Sequence, residues 1–205
     1  ILRLRLSSID SIEADRHLWD LIADEPRFMP HLHLSLQHGD DMILKRMKRR
    51  HSRADALSFV EQARRLRPDI AFGADMIAGF PTETAEMAEN AATLAEEAGL
   101  AFLHVFPYSP RPGTPAARMP QLDRPLVKER AARLRGRGDA LHRAHLDRMV
   151  GSVQTIIVEM NGMAHTENFS LVAAPGLVPR EIRRVIITGH NGKHLDMEVA
   201  PALAA

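Results

Sequence analysis

The sequence predicts an α/β fold: part of a parallel (β/α) sheet or barrel, followed by a small antiparallel β-barrel. Three observations carry this. Through residue 115, strand-like and helix-like segments alternate in the order βα, βαα, βα, β, the pattern of parallel strands joined by right-handed crossovers. Each strand there has an apolar face and a polar face, because side chains alternate along a strand. Beyond Gly151 the pattern changes to short strands at turn spacing, with Asn161-Gly162 and Asn191-Gly192 as turn signals. The chain therefore divides into residues 1–150 and residues 151–205.

In the first strand Leu2, Leu4 and Leu6 face one way, and Arg3, Arg5 and Ser7 the other. Asp10 or Ser11 opens a helix with Ile12, Leu18, Leu21 and Ile22 as its apolar stripe, and Pro26 ends it. The second strand, His31 to Gln37, puts three leucines on one face and His31, His33, Ser35 and Gln37 on the other. Gly39-Asp40-Asp41 turns into a short helix from Met42 to Lys48, and a further helix runs from about Ala54 to Leu66 before Pro68. The third strand is the stretch the chain is organised around. Phe72, Ala74, Met76 and Ala78 form a purely apolar face, and Gly73, Asp75, Ile77 and Gly79 the opposite one. A carboxylate, an isoleucine and two glycines suit a small-molecule site, since glycine allows a ligand close to the backbone. Gly79-Phe80-Pro81 turns the chain into a helix from Ala85 to Ala98, which Gly99 caps. The fourth strand, Ala101 to Phe106, leads into a proline-stiffened loop ending at Pro115.

A long helix starts at Asp123 and Pro125 and reaches roughly Met149, with Gly136 and Gly138 placed to kink or break it. It carries Arg124, Lys128, Arg130, Arg133, Arg135, Arg137, Arg143 and Arg148 against few acids of its own. That pattern fits a solvated surface helix or a nucleic-acid contact. Strands follow at Val153 to Glu159, His165 to Val172, Arg184 to Thr188 and His194 to Val199, with a frayed tail from Pro201.

Hydrophobic content of 45% and charged content of 26% are those of a soluble globular protein, and a net charge of +1 leaves any nucleic-acid contact to local clusters. There are no cysteines, which excludes disulfides and thiolate-bound metal within these residues. No apolar run approaches the roughly 20 residues of a membrane span, and a cytoplasmic location is expected. The chain has no initiator Met and starts inside a strand, which reads as a piece of a longer protein.

Two constellations compete for the chemistry. His31 and His33 share a strand face and, with Asp75 and His104, have the donor types of a metal-dependent hydrolase. Their place argues against it, because barrel sites gather at the C-terminal ends of strands and these histidines lie at the start and middle of theirs. The second set is Gln37, Arg49 and Asp75. A guanidinium pairs with a carboxylate in a bidentate fork, and a carboxylate accepts from an amine or hydroxyl. With Ile77 and the glycines as a flat apolar wall, this is the inventory for a nucleoside–amino-acid conjugate such as S-adenosylmethionine.

Four motifs then agree in order and spacing: Leu32-His33-Leu34-Ser35-Leu36-Gln37-His38-Gly39-Asp40-Asp41, Met47-Lys48-Arg49, Gly73-Ala74-Asp75-Met76-Ile77-Ala78-Gly79-Phe80-Pro81-Thr82-Glu83-Thr84, and Phe106-Pro107-Tyr108-Ser109-Pro110-Arg111-Pro112-Gly113-Thr114-Pro115-Ala116. Together they resemble the radical S-adenosylmethionine tRNA methylthiotransferases, and most of all the branch acting on N6-threonylcarbamoyladenosine beside the anticodon. Any one motif alone is weak. The family's usual Gln-Ser-Gly-Ser-Asp stands here as Gln37-His38-Gly39-Asp40-Asp41.

The resemblance implies the last four strands of a partial (β/α)6 barrel and, from about Gly151, an RNA-binding barrel of the TRAM type. It implies S-adenosylmethionine contacts at Gln37, Arg49 and Asp75, and also at Ser7 and Ile77. Arg130, Arg133, Arg137, Arg148, Arg183, Arg184 and Lys193 are then expected on tRNA phosphates near the anticodon loop. The family transfers a methylthio group to C2 of the adenine, reducing S-adenosylmethionine at a [4Fe–4S] cluster held by a Cys-x-x-x-Cys-x-x-Cys motif. That motif is absent and would precede Ile1, so this segment alone is expected to be inert. It is also expected to self-associate through its open first strand. The other readings are a non-catalytic RNA-binding protein and the hydrolase built on His31, His33 and Asp75.

Overall fold

The computed structural model describes residues 1–201; the tail expected from Pro201 lies, past Pro201 itself, outside the described residues. Four parallel strands form a sheet in sequence order: β1 (Leu4–Ile9), β2 (Phe28–Gln37), β3 (Ala71–Ala78) and β4 (Phe102–Pro107). Each crossover is helical: α1 (Arg16–Asp24) after β1, α2 (Asp41–Arg46) and α3 (Arg53–Leu66) after β2, and α4 (Ala85–Glu97) after β3. The predicted apolar faces of β2 and β3 are the core, whereas in the first strand only Leu6 packs against it and Leu2 and Leu4 are exposed. Leu32, Leu34 and Leu36 of β2 and Phe72, Ala74, Met76 and Ala78 of β3 are buried with Phe59, Val60 and Ala63 of α3 and Ala91, Leu94 and Ala95 of α4. Gly99 takes the left-handed conformation after α4.

The first helix differs from its expectation. Asp10 does not cap it: Ser11–Glu13 form a short 3-10 turn, and α1 begins after Asp15, whose carboxylate accepts from the Leu18 N–H at 2.9 Å. Asp10 is engaged elsewhere, as described below.

The basic helix α5 (Arg124–Met149) runs unbroken through both glycines. Gly138 is there for close approach: a Cβ at that position would lie 2.9 Å from Leu103 Cβ of β4. The helix serves two cores, placing Ala131 and Leu134 against the sheet and Leu146 and Met149 in the small barrel.

That barrel closes in the order β5-β6-β7-β9-β8, with β5 (Val153–Val158), β6 (Met163–Thr166), β7 (Leu171–Ala173), β8 (Ile182–His190) and β9 (Leu195–Val199). It is not purely antiparallel, because β7 and β9 pair in parallel to close it. The expected strand over 165–172 is two strands. A turn separates β6 from β7, with Phe169 at a φ of 73°. This turn docks the barrel under the sheet. Phe169 sits 4.8 Å from the His31 ring, stacks on His165 at 4.6 Å and lies 5.1 Å from the Arg5 guanidinium. Arg5 donates to the Thr166 carbonyl at 2.8 Å, and Arg3 to the Thr155 carbonyl at 3.1 Å. The polar strand face is thus covered at its N-terminal end and open at its C-terminal end.

Candidate functional site

The open end is a cleft of about 790 Å³ lined by Gln37, Arg49, Asp75, Ile77, Phe80, Tyr108 and Arg111, among others. Parallel strands bring their C-terminal ends to one side, so Gln37 at the end of β2 and Asp75 and Ile77 on β3 meet there. The loops after β2, α2 and β3 hold Gln37, Lys48 and Thr82 at φ of 65°, 58° and 67°. Non-glycine residues rarely adopt that conformation, and such strain concentrates at binding sites. Arg49 is fixed from behind. Its Nη2 donates to the Ser35 carbonyl at 2.7 Å and to Asp10 at 3.4 Å, and Asp10 also bonds His51 at 3.2 Å. Arg49 Nε is buried with no partner among the described residues, and so is the Tyr108 hydroxyl. Burial pushes that phenol above its usual pKa. Two buried, unpartnered polar groups beside the cleft are what a polar ligand would satisfy.

Four of the five residues expected at a cofactor therefore converge: Gln37, Arg49, Asp75 and Ile77. Ser7 does not line the cleft. It is exposed on β1, where Ser8 has a φ of 58° and the pairing with β2 loses register. Phe80, Tyr108 and Arg111 were visible only as parts of the Gly-Phe-Pro and Arg-Pro-Gly-Thr runs; nothing in their own spacing marks them as wall residues. By local pattern Asp10 reads as a helix start; its role behind Arg49 is a tertiary contact without a local signal.

The rim of the cleft rests on a buried charge network. Glu83 is 3% exposed. It accepts from the Gly79 N–H and His38 Nε2, each at 3.0 Å, and from Arg130 Nη1 at 2.8 Å; Arg130 also donates to the Glu83 carbonyl at 2.7 Å. Burial drives the Glu83 carboxyl pKa up, but the bonds from His38, Arg130 and Gly79 outweigh it and hold the group below the usual range. This network ties the loop after β2, the loop after β3 and α5 together.

The histidine constellation is rearranged. His33, Asp75 and His104 gather their ligand-type atoms within 4.8 Å of one another. His31 is not among them: it is buried against Phe102 and Phe169, and neither ring nitrogen has a partner. Burial first, and then the nearby Arg5 charge, push its pKa down to about 4. The set His31, His33 and Asp75 is thus not a single cluster.

Residues 2–95 match the Radical SAM superfamily. Over 167 residues the chain is 56% identical to a threonylcarbamoyladenosine tRNA methylthiotransferase (MtaB) of Rickettsia prowazekii (strain Madrid E), covering 82% of this chain and 40% of that protein. The chain is also 34% identical to a tRNA-2-methylthio-N(6)-dimethylallyladenosine synthase of Neorickettsia sennetsu over 77% of this chain and 33% of that one. To one from Methylococcus capsulatus it is 40% identical, over 77% and 34%. It spans about a third to two-fifths of the length of these curated relatives. The superfamily match takes in β1 to α4, and with them Gln37, Arg49, Asp75 and Ile77; β4, its loop, α5 and the small barrel lie beyond it.

The basic helix α5 is not short of acids, because α4 and the loop before it supply them. Arg130 bonds buried Glu83, Arg133 pairs with Glu89, and Arg137 pairs with Glu89 and Glu96. In the small barrel Arg183 pairs with Glu181 at 2.9 Å. Arg148, Arg184 and Lys193 are exposed, with no carboxylate within ion-pair distance among the described residues. Among the described residues no helix is long and apolar enough to cross a membrane.

Proposed function

We propose that this chain supplies the S-adenosylmethionine-facing and tRNA-facing parts of a radical SAM tRNA methylthiotransferase acting at C2 of N6-threonylcarbamoyladenosine. One observation carries the reading: Gln37, Arg49, Asp75 and Ile77 line a single cleft at the strand ends, with the Arg49 Nε left unpartnered. The donor set fits the cofactor. Arg49 would take the amino-acid carboxylate and Asp75 an amine or ribose hydroxyl, while Gln37 serves as an amide donor or acceptor. Ile77 and Phe80 offer the adenine an apolar wall. Bound S-adenosylmethionine supplies the family's radical and methyl-group chemistry; the residues named here bind it, orient it and keep water from it. The same residues do not fit an iron–sulfur cluster, since the 205-residue sequence has no thiolate to hold one.

The 56% identity to a threonylcarbamoyladenosine enzyme, against 34–40% for the dimethylallyladenosine enzymes, supports the finer substrate assignment. We assign the small barrel as TRAM-like and its tRNA contacts to Arg148, Arg184 and Lys193 first, whose charges are uncommitted, with Arg183 beside them. Arg130, Arg133 and Arg137 have acidic partners within the fold and contribute less. Calorimetry with S-adenosylmethionine tests the cofactor site. Losing one charge-assisted contact costs about 1.5–3 kcal/mol, so Arg49→Ala should weaken binding at least tenfold. An unchanged affinity discards the assignment.

A further inference from the structure

Among the described residues Asp75 is the one carboxylate lining the cleft, and two histidines bond it. We propose that His33 and His104 are positioning residues that grip a single oxygen of Asp75 and leave the other for the cofactor; this rests on the reading of the cleft as the S-adenosylmethionine site. His33 Nε2 donates to Asp75 Oδ1 at 3.0 Å, and His104 Nδ1 donates to the same oxygen at 3.2 Å. Neither histidine lines the cleft, whereas Asp75 does. Their influence on a ligand therefore passes through the carboxylate.

The sequence builds this arrangement across three adjacent strands. His33 on β2 is in register with Gly73 on β3, and Asp75 is in register with His104 on β4. Side chains two residues apart on a strand share a face, so His33 must lie along β3 to reach Asp75. Gly73 makes that possible. A Cβ there would sit 2.7 Å from His33 Nδ1, so any side chain would lift the ring from its place. On the other flank His104 lies beside its partner, with the two rings 5.0 Å apart. The side chains grade outward, His33 being 13% exposed, Asp75 31% and His104 60%. A carboxylate with one oxygen bonded twice cannot rotate freely, and the remaining oxygen offers its lone pairs in a fixed direction. Pre-fixed acceptors lose less entropy when they bind.

The arrangement also fixes the tautomers. To donate to an ionised carboxylate, His33 must carry its proton on Nε2 and His104 on Nδ1, because the partner of one ring nitrogen decides which is protonated. As neutral donors the two rings are therefore opposite tautomers.

The test uses the 205-residue chain, with S-adenosylhomocysteine as the calorimetric probe and nitrogen-15 NMR of the imidazoles as a second readout. In the native chain His33 should read as the Nε2–H form and His104 as the Nδ1–H form, both reverting to mixtures in Asp75→Ala. His33→Ala and His104→Ala should each weaken probe binding about tenfold. His33→Gln, whose amide reaches where Nε2 stood, and His104→Asn, which mimics Nδ1, should restore most of it. If Asp75→Ala loses affinity while both alanine variants of the histidines bind like native, the positioning proposal is wrong and the cofactor reading survives. If Asp75→Ala itself binds like native, or the native chain binds no probe at millimolar concentration, the cofactor reading falls and takes this proposal with it. Should His33→Ala fail to fold, opposite tautomers in the native chain uphold the proposal, and matching or averaged tautomers overturn it.

Discussion

Removing the Glu83 carboxylate should cost this protein more stability than any exposed ion pair on its surface. Glu83→Ala leaves three groups without their partner: the His38 ring, which is fully buried, the Gly79 N–H, and Arg130, whose side chain is only 13% exposed. Breaking a buried pair from one side costs about 3–5 kcal/mol, because the remaining charge is stranded away from water. For a chain of this size each kcal/mol moves the melting temperature by roughly 2–4 °C, so the loss should be on the order of 10 °C. The carboxyl is held below its usual pKa, so it contributes stability above the unfolded value of about 4.5, and this is lost as pH falls through the folded value. The native chain should therefore soften below about pH 4.5, and Glu83→Gln should flatten that part of the profile. Differential scanning calorimetry of Glu83→Ala, Arg130→Met and the double variant gives the coupling directly. The double variant should lose less than the two singles combined. Additive losses, or a melting point within about 2 °C of native for Glu83→Ala, would refute the claim that this network holds the cleft rim.

Three further outcomes are expected. The two glycines of α5 should respond with opposite signs: Gly136→Ala meets nothing within 4 Å and should stabilise by about 0.5–1 kcal/mol, whereas Gly138→Ala drives into Leu103 and should cost about 1–3 kcal/mol, both read by urea denaturation. Burial holds His31 and His145 at about 4 while the unfolded value is near 6.5, so the unfolded chain binds more protons between those values and stability should fall as pH drops from 7 to 5, on the order of 2 kcal/mol for each; His31→Phe, which strands no hydrogen bond because neither nitrogen has one, should remove its share, and an unchanged pH profile in that variant would count against it. Affinity for tRNA should fall with salt, and Arg184→Gln and Lys193→Gln should each reduce the slope by about 1, while Arg133→Gln leaves it nearly unchanged; equal effects from all three would contradict the charge accounting.

Most of the sheet was legible in the sequence because its signal is local. Leucines at 32, 34 and 36 and the apolar set at 72, 74, 76 and 78 alternate as a half-buried strand must, and both faces are buried as that pattern requires. What failed was decided at a distance. Asp10 looks like a helix cap, but Arg49 and His51 compete for its carboxylate, and they lie some forty residues away. Gly136 and Gly138 look alike to any propensity scale, yet one is open to solvent and the other is the point where α5 meets β4. The basic stripe of α5 reads as uncompensated only while α4 is out of view, since Glu89 and Glu96 belong to another helix.

The polar strand face carries the same lesson into the site. From alternation alone, Arg5, Ser7, His33, Gln37, Asp75 and His104 are one class, a polar lining turned from the helices. The fold gives that lining two separate jobs along its length. Where the strands begin, Arg5 donates to carbonyls of the β6–β7 turn, and Phe169 closes over His31. Polar groups there join two parts of one chain, while Arg5 Nε and both His31 ring nitrogens stay closed off without a partner among the described residues. Where the strands end, Gln37, Asp75 and Arg49 face a cleft in which donors are left over. His33 and His104 lie between the two regions and hand their hydrogen bonds to Asp75. A binding site on such a face is marked by unspent polar atoms that border an open cleft, and not by polarity as such. Those leftovers can be counted only after the small barrel has taken its share.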